Sequence, residues 1–141
     1  MSRFVRCSVL ILAVTGAGAL SAAAAYAVTP DQLQAQYEAI ARKEAASFNG
    51  VSAVRGGEFF RSTHGNDWSC ATCHTANPAT LGRHARTGSV LQPLAPIANG
   101  ERFTDPVKVE KWFKRNCGDV LSRACTAQEK GDVIAFLRSL K

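Results

Sequence analysis

Beyond Met1 the chain contains no methionine, so once its N-terminus is removed it has no thioether to offer a metal. Long apolar runs are equally scarce: after Val28 no stretch is long and apolar enough to span a bilayer. Internal repeats and low-complexity segments are missing, and no alternating strand pattern competes with helical periodicity. The basic excess forms no dense stripe and carries no nucleic-acid motif. That argues against DNA or RNA as a partner and suits acidic proteins.

What is present begins as a secretory signal. Arg3 and Arg6 supply the basic end, Cys7 to Leu20 the apolar core, and Ala25-Tyr26-Ala27 a small-x-small cleavage site. An uncleaved anchor is the alternative, because no charge interrupts Cys7 to Val28. The alanine-rich second half and the cleavage pattern favour removal. The expectation is a signal over 1–27 and one mature domain over 28–141, periplasmic and without membrane contact after cleavage. Of 17 basic residues, Arg3 and Arg6 leave with the signal, so fifteen remain against eleven acidic ones, a net +4.

The fold class reads as all-α. Thr29 caps a helix with Pro30 at its first position and Gln32 completing a capping box. Leu33, Tyr37, Ile40 and Ala41 then share one face. A short second helix is expected from Ser52 toward Thr63. The stretch from Asn77 to Asn99 is rich in Pro, Gly and Thr and reads as a long wrapping loop. Thr104-Asp105-Pro106 starts the next helix, with Val109, Trp112, Phe113 and Asn116 on one face and Gly118 placed to end it. Thr126 and Glu129 form the capping box of a last helix that buries Val133, Phe136, Leu137 and Leu140.

The chemistry is concentrated in Cys70-Ala71-Thr72-Cys73-His74. Two thiols at this spacing add across the two vinyl groups of one haem, and the adjoining imidazole becomes the proximal iron ligand. A zinc half-site would need a second ligand pair nearby, and a redox dithiol a βαβ context. The contiguous histidine argues against both. One covalent haem c is therefore expected, tethered by Cys70 and Cys73 and ligated by His74. Of the other cysteines, Cys7 leaves with the signal. Cys117 and Cys125 form an even pair in an exported chain, for which a disulfide is the default. Its nine-residue loop is worth ~2.5 kcal/mol by chain entropy.

The missing methionine opens the question of the sixth ligand. His64, His84, a lysine, an uncharged oxygen or nitrogen donor, or nothing at all are the options. His64 lies on the approach to the motif and reads as a surface histidine. His84 sits among Arg83, Arg86 and Gly88, where it suits either the iron or a propionate. Asn116 shares its face with residues expected to bury, Trp112 and Phe113 being candidates for packing on the haem. Its plainer role is an amide capping the end of its helix.

Arg102-Phe103-Thr104-Asp105, Val109-Glu110-Lys111-Trp112 and Arg115-Asn116-Cys117 resemble the sphaeroides haem protein family of monohaem cytochromes c. Arg123-x-Cys125-Thr126 and Leu94-Ala95-Pro96 do so too. The resemblance implies a single class I cytochrome c-like domain with asparagine, here Asn116, as a labile distal ligand. It implies a disulfide from the next residue, Cys117 to Cys125. It further implies a ferrous haem that binds a small diatomic ligand and a dihaem cytochrome c as electron donor. The segment from Thr63 to Cys70 and His84 depart from the family pattern.

An amide is a weak, hard donor, tolerable on ferric iron and poor on ferrous iron. The expected function is therefore electron exchange coupled to binding of oxygen or nitric oxide on reduction. The alternatives are a simple electron-transfer cytochrome in a respiratory chain and an enzyme acting on nitric oxide or peroxide. A dedicated enzyme is the weaker of these, since no distal His–Arg pair is evident. Lys108, Lys111 and Arg115, with Lys114 alongside, form either a solvated charged face or a docking surface for an acidic donor cytochrome.

Overall fold

The structure is a computed structural model and describes residues 27–141. The expected signal, all but its last residue, lies outside the described residues. The helix starts follow their caps. Thr29 opens α1 (Pro30–Glu44): its hydroxyl accepts the Gln32 N–H at 3.2 Å, while the Gln32 side chain accepts the Thr29 N–H at 2.8 Å. Ser52 caps α2 (Ala53–Arg61), and Ser69 with Thr72 makes a capping box for the short α3 (Cys70–His74). Asp105 caps α4 (Pro106–Leu121), accepting the Lys108 N–H at 3.0 Å. Thr126 and Glu129 open α5 (Ala127–Ser139). Each such cap is worth about 1 kcal/mol.

Three expectations needed correction. The segment from Asn77 to Asn99 contains an antiparallel hairpin, β1 (Gly82–Arg83) against β2 (Val90–Leu91), with Arg83 opposite Val90. Strands of two residues are too short to show alternation. Helix α4 does not stop at Gly118 but runs to Leu121, where Ser122 adopts a left-handed φ of 59°. Buried Cys117 and Val120 extend the stripe begun by Val109, which outweighs the roughly 1 kcal/mol cost of a helical glycine. Ile40 is exposed, because the buried stripe of α1 runs Leu33–Tyr37–Ala41 and Ile40 falls at its edge.

The fold is all-α in its supporting structure. Its core joins Leu33 and Tyr37 of α1, Phe60 of α2, Phe103, Val109 of α4, and Val133, Ile134, Phe136 and Leu137 of α5. The tightest contact is between α2 and α5. A Cβ at Gly56 would stand 1.9 Å from the Asp132 carbonyl oxygen, so only glycine admits this approach. Asp132 is itself buried and accepts two bonds from Arg55, at 2.9 and 3.0 Å, and one from the Ser52 N–H at 2.6 Å. Its carboxylate thus ties the start of α2 to the middle of α5.

Candidate haem site

Residues three apart on a helix are neighbours, so α3 presents Cys70 and Cys73 side by side, with His74 next in line. Both cysteines are free thiols and half-buried. Burial pushes the Cys70 thiol up to about 11, leaving it neutral. His74 is half-buried with the Phe60 ring 6.5 Å away. Burial, then the charges of Arg102 and His84, lower its pKa to about 4. The imidazole is therefore neutral near pH 7 and has a lone pair for a metal. Two free thiols beside a neutral imidazole are the donor set that a covalent haem requires. Among the described residues no group of three or more His, Cys, Asp or Glu side chains is arranged to hold a metal ion, so nothing supports a zinc centre.

The hairpin lies directly on this segment. A Cβ at Gly82 would stand 2.3 Å from the Cys73 carbonyl oxygen, and the Ala85 N–H donates to Cys73 Sγ at 3.3 Å. His84 belongs to the same turn. Its Nδ1 accepts the Thr87 N–H at 3.2 Å, which leaves the ring proton of the neutral form on Nε2. His64 has a different task. Its Nε2 bonds the Phe59 carbonyl at 2.9 Å and its ring rests on Phe59, so it closes the C-terminal end of α2.

Arg102 is a site neighbour that the sequence reading quoted without a role. Its guanidinium donates to the Pro93 and Gln92 carbonyls at 2.8 and 2.9 Å, fastening the loop after the hairpin to the entrance of α4. The next residue, Phe103, is buried with a left-handed φ of 62°. A strained backbone at a large side chain persists only where packing fixes it.

On α4 the expected single face divides. Phe113 follows Val109 inward and meets Tyr37 edge-on, ring centroids 5.9 Å apart. Trp112 and Asn116, also four apart, stand together on an exposed flank, with the Arg115 guanidinium 5.7 Å over the Trp112 ring. Asn116 cannot be a helix-end cap, because α4 continues five residues beyond it. Its amide makes no hydrogen bond among the described residues. The helix is fastened around it by separate links. Tyr37 donates to Glu110 at 2.7 Å, and Lys130 bonds both Glu110 oxygens at 2.9 Å while lying over the Tyr37 and Phe113 rings. Asn66 donates to the Val120 carbonyl at 2.8 Å. Cys117 and Cys125 are joined by a disulfide, Cα atoms 5.6 Å apart.

This arrangement matches known proteins. Cytochrome c-type protein SHP of Cereibacter sphaeroides is 44% identical over 113 residues, covering 77% of this chain and 82% of that protein. The chain belongs to the SHP family of cytochromes c. A family described as a domain of unknown function, DUF1924, matches residues 46–137. Cytochrome c'' of Methylophilus methylotrophus is 37% identical over 131 residues, 90% of this chain and 91% of that one. Among solved structures, oxidized SHP, described as an oxygen binding cytochrome c, superposes with a TM-score of 0.72. It is 42% identical and spans 81% of this chain and 99% of that one. Oxidized cytochrome c'' superposes at 0.71, with 36% identity over 79% and 94%. Like these SHP relatives, the protein is a monohaem cytochrome c with covalently attached haem c. The residues suited to holding that haem are Cys70, Cys73 and His74.

Proposed function

We propose that this SHP-family protein is a periplasmic cytochrome whose sixth iron ligand, Asn116, is released on reduction so that oxygen or nitric oxide can bind. The carrying observation is the placement of Asn116. It lies inside α4 with an uncommitted amide, in a chain whose one methionine is Met1. Bound haem c supplies the iron and its one-electron couple. Asn116 offers ferric iron a hard oxygen donor that ferrous iron holds poorly. Once displaced, the same carboxamide can donate an N–H to an incoming ligand. Two relatives support this reading: the SHP structure is described as oxygen binding, and a solution structure of cytochrome c'' as giving insight into haem-ligand detachment. The electron donor is an acidic cytochrome, a dihaem cytochrome c by family resemblance.

Absorption and EPR spectra of both oxidation states, with and without nitric oxide, test the ligand. The native ferric form should be six-coordinate and the ferrous form high-spin and reactive. Asn116→Ala should be high-spin in both. A ferrous protein that stays low-spin and ignores nitric oxide, or an Asn116→Ala spectrum matching the native one, overturns the proposal.

A further inference from the structure

From Trp68 to Gly100 the chain has no aspartate or glutamate, although this stretch carries Arg83 and Arg86. The structure folds its middle part into the β1–β2 hairpin and lays it on Cys73 through Gly82 and the Ala85 N–H. Side chains directly opposite, or two apart on a strand, share a face. Arg83 and Val90 therefore share the outer face, with Leu81 immediately before β1. Leu81 and Val90 are 58% and 57% exposed. Arg86 extends the patch by lying 5.2 Å over the ring of Trp68, two residues before Cys70. Neither arginine pairs with a carboxylate among the described residues. An apolar centre edged by unpaired cations is the composition of a surface for a negatively charged protein.

The lysine face of α4 is a poorer match. Glu110 and Asp119 stand on the same helix and Arg115 lies 4.0 Å from Asp119, so its field is mixed in sign.

We propose that the outer hairpin face, Arg83 and Val90 flanked by Leu81 and Arg86, docks an acidic one-electron carrier protein. It rests on the donor reading above and gives that donor a place. In the docked pair the carrier loses one electron and ferric iron gains it. No bond forms between the proteins and no proton need move.

Flavodoxin, an acidic one-electron carrier, serves as the probe. It is titrated in its oxidised state into oxidised ¹⁵N-labelled holoprotein at low ionic strength, and affinity is read from amide shifts. Shifts should concentrate on residues 81–92 and on Trp68. The double variant Arg83→Glu/Arg86→Glu should weaken binding at least about tenfold, with an unchanged haem spectrum. Lys108→Glu/Lys111→Glu alters net charge equally and should change binding less than about twofold. Leu81→Asp, which leaves both arginines in place, should weaken binding several-fold and serves if the double variant fails to fold. Equal loss in both charge-reversal pairs, or loss in the α4 pair alone, overturns the hairpin assignment and keeps an acidic partner. Wild type that binds no flavodoxin at any ionic strength overturns both.

Discussion

The α2–α5 crossing and helix α4 are held by opposite means. At the crossing, backbone meets backbone: Gly56 sits where any side chain would strike the Asp132 carbonyl, and the Asp132 carboxylate is buried against Arg55. Helix α4 is fastened by side-chain links, namely Glu110 to Tyr37 and Lys130, Asn66 to the Val120 carbonyl, and Cys117 to Cys125. A close-packed crossing has one arrangement, whereas a set of links can be loosened one at a time. The first supports His74 through Phe60, and the second carries Asn116. The side that offers His74 to the iron thus rests on the stiffer scaffold, and the side proposed to open rests on adjustable ties.

Three variants probe that contrast. Gly56→Ala should be the most damaging, because the atom it strikes is backbone and cannot swing aside. Unfolding of the holoprotein in guanidinium should show a loss of about 3 kcal/mol. A loss below 1 kcal/mol would mean the helices separate freely and the crossing is no stiffer than α4. Replacing both disulfide cysteines by serine should cost about 2.5 kcal/mol in the same assay. If α4 depends on this link, its amides should also exchange with solvent faster than those of α5.

Glu110→Gln should have the smallest effect, about 1 kcal/mol at pH 7, since the carboxylate it replaces is half exposed. Burial pushes the Glu110 carboxyl up, but hydrogen bonds from Lys130 and Tyr37 and the Lys130 charge outweigh it and hold it below its ordinary value. A depressed carboxyl stabilises fully above the ordinary carboxylate pKa and loses that contribution as pH falls through the lower folded value. The gap between wild type and Glu110→Gln should therefore close in that acidic window. A gap constant from pH 7 to pH 3 would show that the link is not electrostatic.

How much of this was readable depended on whether local chemistry decided the outcome. Thr29–Gln32, Asp105 and Thr126–Glu129 opened their helices as read, because a cap competes only with its immediate neighbours. The Cys70–His74 motif and the parity of Cys117 and Cys125 were readable for the same reason. The hairpin was not, since its form comes from packing on Cys73 and not from a pattern of its own. Gly118 misled because tertiary burial of Cys117 and Val120 overrode its propensity. The exposed pairing of Trp112 with Asn116 became visible only when Phe113 was seen to turn toward Tyr37.

Burial of the Cys70 thiol has a consequence for how the chain matures. Four cysteines in 28–141 permit six single disulfides, and only Cys117–Cys125 leaves both tethering thiols free. Exchange with a disulfide needs a thiolate, so a thiol held near 11 is a slow attacker and a slow target for oxidants. At Cys70, the packing around the haem-binding segment therefore slows mispairing. The fold thus shields one of the two thiols that its cofactor needs.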